Sequence, residues 1–408
     1  MTKSILIVSL ILGSVVAKAQ VLPMDHDTLQ RNREIISSNV ADFGGSALEN
    51  SIMNRFLFGG HIDENVIKSS FDRHRNINRI GAVIGSELEY RDYNIKLFKK
   101  KNWGMVFKAG YNIFGGAIYS QDAFGLVFYG NDRYVGDTMS LSGMDITSMT
   151  YQKVGFGVID AKSKSSLSFN LYNISNRVAG DFRSIELGQN SDGTEVNLEM
   201  DGSFERSVDS SLSQGLGFGV DADFRLPVNW GKEAKAYLQF KAVNLGFAYM
   251  HNPQQRYTFD TTFIYDGFAF DQLIGDNAMN LDSVNILDTL GIQSSNVNRT
   301  VMLPGMIQIG KIVDNHSDKM VQSFFGIRMY PTLIFNPYVY GGADFKVNNW
   351  FRCGANLGYG GFQGIRGGVY AHMNTKYISA GIGTENIIGA ILKSGSGQSI
   401  YLRLRCAF

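Results

Sequence analysis

Hydrophobic and polar side chains alternate with a period of two along the C-terminal part of this chain, most clearly in its last nine residues. Ile400, Leu402, Leu404, Cys406 and Phe408 fall on one face, and Tyr401, Arg403, Arg405 and Ala407 on the other. Successive side chains of a strand point to opposite faces, so this segment predicts a strand with one apolar and one cationic side. The same period runs upstream. In residues 365–373, Ile365, Val369, Ala371 and Met373 oppose Arg366, Tyr370 and His372, and residues 376–384 follow after the turn Asn374-Thr375. In residues 351–359, Phe351, Cys353, Ala355, Leu357 and Tyr359 alternate with Arg352, Gly354, Asn356 and Gly358. Segments 333–345 and 321–330 behave alike, with Arg328 and Asp344 on the polar side. The helical period of 3.6 is absent here.

Connection lengths then order the strands. Short polar turns are predicted at 99–102, 160–165, 229–233, 315–319, 348–349 and 374–375, and longer segments near 114–149, 175–212 and 252–298. Short turns and long loops fall on alternate sides, the layout of a membrane barrel with short periplasmic turns and long outer loops. The expected fold is all-β: an antiparallel transmembrane β-barrel of about fourteen strands, residues 51–408, with both termini on the periplasmic side. Residues 54–66 are expected as the first strand and 80–98 as a long second one. Residues 20–50, which contain Gly44-Gly45, show no convincing alternation and are expected as an N-terminal lead or lumen plug.

The first nineteen residues have the plan of an export signal. Lys3 precedes an apolar run over 5–16 broken only by Ser and Gly, and Ala17-Lys18-Ala19 fits a small-x-small cleavage site. Cleavage is expected after Ala19, and the run is shorter than the ~20 residues a spanning helix needs. Composition fits a barrel. Forty-six glycines stand against six prolines, and proline would remove ladder donors. A net charge of +1 gives no basic footprint for nucleic acid. Cys353 and Cys406 fall on lipid-facing positions of non-neighbouring strands and read as small apolar residues, not a disulfide.

The search for chemistry yields little. None of the six histidines, His26, His61, His74, His251, His316 and His372, has ligand-like spacing to carboxylates or cysteines. Asp25-His26-Asp27 reads as a solvated lead, and for inward-facing His372 no triad partner is identified in the sequence. Neither Gly215-Leu-Gly217-Phe-Gly219 nor Gly358-Tyr-Gly360-Gly361 opens a helix after a buried strand, as a nucleotide loop requires. No enzyme activity, cofactor or metal is expected. Arg328, Arg352, Arg366, Arg403 and Arg405 all project inward. They either line an anion-favouring lumen or pair with Asp344 and with N-terminal acids such as Asp42 and Glu49, since a buried guanidinium needs a partner. Trp103, Tyr111, Tyr119, Phe128, Tyr129, Trp230, Tyr249, Tyr330, Tyr338 and Trp350 lie near strand ends and are expected to form interfacial girdles.

The closing strand, with Ile400, Leu402, Leu404 and terminal Phe408, resembles the C-terminal assembly signal of Gram-negative outer-membrane barrels. Phe335-Asn-Pro-Tyr through Gly341-Gly342, Asn356-Leu-Gly-Tyr-Gly-Gly-Phe362, Gly383-Thr-Glu-Asn386 and Gly395-Ser-Gly-Gln-Ser399 resemble an uncharacterised outer-membrane barrel family. In plan the chain is similar to fatty-acid-transporter-type barrels, which include accessory barrels of the type IX secretion system. The resemblance implies a non-enzymatic scaffold or accessory subunit of an outer-membrane secretion or assembly complex. The alternative is a transporter for a hydrophobic or small anionic solute. The implied partners are outer-membrane lipid, the barrel-assembly machinery during insertion, and other outer-membrane or periplasmic proteins. Phe259, Phe263, Tyr265, Phe268 and Phe270 make a gate possible, but the same segment carries Asp260, Asp266, Asp271, Asp276, Asp282 and Asp288, which suits a protein-contacting surface better.

Overall fold

A computed structural model describes residues 22–24, 31–95, 102–192, 194–208, 211–229, 235–265, 291–314, 317–392 and 395–408. The export signal, Asp25-His26-Asp27, Trp230 and the loop acids from Asp266 to Asp288 lie outside them. The wall begins with β1 (Arg33–Gly45), β2 (Asn78–Asp92) and β3 (Trp103–Tyr119). It continues through β5 (Met144–Asp160), β6 (Ser166–Gln189), β8 (Gly215–Asn229), β9 (Lys235–Met250) and β13 (Met306–Ile312). The remaining wall strands are β14 (Val321–Met329), β15 (Asn336–Lys346), β16 (Phe351–Gly361), β17 (Gly364–Asn374), β18 (Ile378–Thr384) and β19 (Gln398–Ala407). Each pairs antiparallel with the next, and β1 pairs with β19, which closes a ring of fourteen strands. The chain is a closed antiparallel transmembrane β-barrel. No described helix is long and apolar enough to cross a membrane; the crossing is made by strands.

Inside and outside follow the period of two. Glu34, Ile36, Ser38, Val40 and Asp42 of β1 are buried in the lumen, as are Arg403 and Arg405 of β19. Phe107, Phe169, Leu171, Phe218, Leu226, Leu357, Ile365, Ile382, Ile400 and Leu402 project outward as an exposed apolar belt. Close wall packing explains part of the glycine usage. Gly219 faces Gly246 across the β8–β9 ladder, and a Cβ on Gly246 would lie 2.2 Å from the Phe218 carbonyl oxygen. Gly360 and Gly361 take φ of 118° and 70°, turning the chain tightly from β16 into β17.

Three expectations are corrected. Residues 33–45, placed in a lead or plug, form β1, so the boundary at residue 50 does not separate a plug from the barrel. Their alternation is masked because the lumen side mixes Glu34, Ile36, Val40 and Asp42 while the outer side carries Ser37 and Asn39. Residues 54–66 do not form the first strand: α1 (Asn50–Phe58) and α2 (Glu64–Arg73) connect β1 to β2. The long segments 175–212 and 252–298 are not simple loops. The upper part of β6, β7 (Val196–Ser207), β10 (Gln254–Tyr265) and β11 (Gln293–Val297) continue pairing beyond the ring, joined by β4 (Thr138–Ser140) on β6. β12 (Thr300–Met302) pairs with β9 just above β13. This outer sheet is pinned to the barrel by Glu205, whose carboxylate accepts from Arg177 at 2.8 Å and from Arg299 at 2.7 Å.

α1, α2 and α3 (Gln121–Tyr129) form a shelf at the long-loop rim. Leu48, Ile52, Met53 and Phe124 are its buried core, packed against Phe43, Ile80 and Tyr119 of β1, β2 and β3. These three strand residues have outward parity, so the shelf rests on the outer face of the wall. His74, at the end of α2, ties it together. Its Nδ1 lies 2.6 Å from the Ser70 carbonyl oxygen, which can only accept, so Nδ1 carries the proton and Nε2 accepts from the Tyr119 hydroxyl at 3.0 Å. The ring packs on Phe124, centroids 4.1 Å apart. Burial holds the His74 pKa below 6.5 against the raising effect of the Ser70 bond. The unfolded state therefore binds the proton more readily, and stability rises with pH across the window just below 6.5. We expect the amide protection factors of α2 and α3, after correction for the intrinsic exchange rate, to fall as pH falls from about 7 to about 5, and His74→Gln to abolish that dependence. A pH-independent wild type would refute the reading.

Candidate functional site: an ion-paired lumen

The first site residue to place is Glu34. Its carboxylate meets Arg405 of β19 at 2.6 Å and Arg91 of β2 at 3.8 Å, and Arg91 also meets Glu89 at 2.7 Å. One acid thus bridges the first, second and last strands, across the seam where the barrel closes. Arg403 donates to Ser38 Oγ at 2.9 Å one step higher.

On the facing wall Asp221 of β8 accepts from Lys108 of β3 at 3.0 Å and from Lys153 of β5 at 2.8 Å. Lys153 also reaches Glu87 of β2 at 2.7 Å and Asn244 Oδ1 of β9 at 2.9 Å. A bulge between Val220 and Ala222, with Asn244 at φ 57°, turns that amide into the lumen. A cavity of about 30 Å³ among Glu87, Glu89, Lys108, Asp221, Lys241 and Arg403 has room only for water-sized guests.

Near the long-loop rim the lumen is crossed by a second network. Arg366 of β17 pairs with Asp42 of β1 at 3.0 Å, and Arg328 of β14 with Glu385, just past β18, at 2.7 Å. Glu385 also lies 3.5 Å from Arg366, so the two arginines share it. The Arg366 guanidinium stacks over the Tyr338 ring at 4.1 Å. Toward the short-turn rim, Arg352 pairs with Asp344 at 2.8 Å, and the Tyr370 hydroxyl donates to the same carboxylate at 2.5 Å. Between the networks Val40, Phe114, Phe324, Tyr330, Phe335, Tyr338, Tyr340, Phe362, Tyr370 and Tyr401 form one buried cluster with Leu22 and Met24. A fourteen-strand wall left empty would enclose a water column; here side chains of the wall, together with Leu22 and Met24 of the N-terminal lead, occupy it.

The inward arginines therefore stand as paired groups. Arg328, Asp344, Arg352, Arg366, Arg403 and Arg405 are all buried in the lumen, and Ile400, Leu402 and Phe408 face outward with Leu404 partly covered. Asp42 and Asp344 are partners as expected. Glu49 is not a lumen acid: it lies on the shelf, 3.3 Å from Arg73. Sequence reasoning missed Glu34, hidden in the misread β1, and Glu385, although Glu385 continues the inward parity of Ser379, Gly381 and Gly383. Trp103, Tyr249 and Trp350 are exposed on the outer surface, as a girdle requires, but Tyr330 and Tyr338 are buried in the lumen. Phe128 belongs to α3 and packs on Phe124. Cys353 and Cys406 are free thiols. Among the described residues no group of His, Cys, Asp and Glu is placed to hold a metal.

No family model and no curated protein matches the chain. Among solved structures it is similar to the TodX deltaS2S3 mutant monoaromatic hydrocarbon channel, at 9% identity over 97% of this chain and 96% of that one, TM-score 0.43. It is also similar to the P. putida toluene transporter TodX, at 9% identity, 94% and 91% coverage and TM-score 0.37. The translocator domain of autotransporter NalP from Neisseria meningitidis follows at 10% identity, 94% and 91% coverage and TM-score 0.34. The fold assignment rests on the strand pairing itself.

Proposed function

We propose that this barrel serves in an outer membrane as a non-enzymatic scaffold or accessory subunit of a secretion or assembly complex, and not as an open channel. One observation carries the reading: the lumen is occupied by ion pairs and aromatic rings, with Leu22 and Met24 among them, from Glu34–Arg405 at one rim to Arg328–Glu385 at the other. The sheet raised by β6, β7, β10 and β11 supports it, because it extends pairing well outside the ring and is anchored to it through Glu205. Such a platform suits contact with other proteins. Planar bilayers containing the intact protein are expected to show little steady conductance, and gentle detergent extraction to recover it in a heteromeric assembly by native mass measurement. Large, stable channels would defeat the proposal. Truncation to residue 50 does not serve as the conductance test, because it removes β1 and its pairing with β2 and β19.

The rival reading, a transporter for a hydrophobic or small anionic solute, is favoured by one feature. β18 ends at Thr384, opposite Val369 and next to Gly383 opposite Tyr401, while β17 and β19 continue toward the long-loop rim. The short helix α4 (Ile387–Ile391) takes its place in the wall. Recovery only as a free monomer with a lipid or solute in the lumen would decide for transport.

A further inference from the structure

The shelf of α1, α2 and α3 sits at a height that can be worked out from the strands. Arg33 is paired with Asp92 near the short-turn rim, and outward-facing Trp103 lies just below that level. Phe43 is ten residues further up β1. At ~3.4 Å per residue and a tilt of about 40°, Phe43 stands ~26 Å above Arg33. The apolar band of such barrels is ~25 Å tall. The shelf packs against the outward face at Phe43, Ile80 and Tyr119, so it lies where the hydrocarbon ends and the headgroup layer begins.

Its surface is two-sided. α2 turns Val66, Ile67 and Phe71 into the shelf and leaves Glu64, Asn65, Lys68, Ser69 and Asp72 exposed. The far end of α1 and the middle of α3 do the opposite. Phe56 is 63% exposed, Phe58 82% and Val127 71%, and Phe56 meets Phe128 of α3 edge-on at 6.1 Å. Large apolar groups this exposed are costly in water, at ~1.5–3 kcal/mol for a full side chain. They are inexpensive in the interfacial layer, where an amphipathic helix lies with its apolar side ~5–10 Å deep. The lipid-facing belt of β1–β3 carries Leu88 and Phe107 below the patch.

We propose that the shelf is a membrane anchor, with Phe56, Phe58 and Val127 inserted in the lipid leaflet on the long-loop side, beside β1–β3. The inference stands on the barrel and its belt, independently of the scaffold role. The test uses the full chain folded into phosphatidylcholine vesicles, with Cys353→Ala and Cys406→Ala and a single bimane-labelled cysteine. Phe58→Cys and, separately, Val127→Cys report the patch, and Lys68→Cys reports the polar side of α2. Heat-modifiable migration confirms that each variant is folded. Shallow doxyl-labelled lipid is expected to quench the labels at 58 and 127 by about twofold or more and to spare the label at 68, with aqueous iodide giving the reverse order. Iodide quenching at 58 and 127 equal to that at 68, without doxyl quenching, would overturn the proposal. So would protection of both positions from both quenchers, which would put a protein neighbour on the patch.

Discussion

Glu385→Ala is expected to lower the unfolding free energy of the barrel by about 3–5 kcal/mol, the usual consequence of removing one partner of a buried ion pair. Glu385 is 0% exposed. Its two carboxylate oxygens accept from both terminal nitrogens of Arg328, at 3.2 and 2.7 Å. The same carboxylate faces Arg366, which keeps Asp42 but loses its second counter-charge. Desolvation of two guanidinium groups is then opposed by one acid where there were two. The Glu385 backbone N–H, held by Ser399 Oγ at 2.8 Å, is untouched, so the loss isolates the side chain. Ser399→Ala at that neighbouring bond should cost only about 1 kcal/mol. Urea titration of the vesicle-folded protein, read by the gel shift between folded and unfolded forms, measures all of these. The double change Arg328→Met with Glu385→Leu should restore most of the loss, because matched apolar groups avoid desolvation altogether. A loss below about 1 kcal/mol for Glu385→Ala would mean that the network is solvated and the lumen open to water.

Much of this site was legible from parity. On β14–β19 the outer positions are mostly apolar, with Ser323, Thr384 and Gln398 as exceptions, so the inward set of Arg328, Asp344, Arg352, Arg366, Arg403 and Arg405 could be read without coordinates. The seam could not. β1 meets a lumen that demands Glu34 and Asp42 at its ends and Ile36 and Val40 between them, so neither of its faces has a single chemistry. The helices after it were short and apolar enough to pass for a strand. Yet Ile62, Val66, Ile67, Ser70 and Phe71 carry the three-to-four spacing of a helix face, and all but Ser70 pack in the shelf core. The aromatic girdle was over-read for a related reason. A tyrosine near a strand end serves an interface when its parity is outward, as at Tyr249, and a packed lumen when inward, as at Tyr338. Position along the strand does not distinguish them; parity does.

Asp221→Asn tests the opposite wall of the lumen, and here geometry allows no benign rotamer. Oδ2 accepts from Lys108 at 3.0 Å and Lys153 at 2.8 Å, while Oδ1 accepts from the Asn244 backbone N–H at 2.8 Å. Both oxygens are acceptors only. An asparagine must turn its NH2 either toward two ammonium groups or toward a backbone donor, and it removes the charge between the lysines in both cases. Lys153 retains Glu87 and Asn244, so the penalty falls mainly on Lys108 and on the bulge that Asn244 forms. The expected destabilisation is about 3–5 kcal/mol by the same urea titration. Adding Lys108→Met to Asp221→Asn removes the ammonium that has lost its counter-charge. It should recover a substantial part of the loss, a coupling energy of about 1–3 kcal/mol in the double-mutant cycle. Strict additivity of the two changes would show that Lys108 and Asp221 do not share one buried network, and that this side of the lumen is wet enough to screen them from each other.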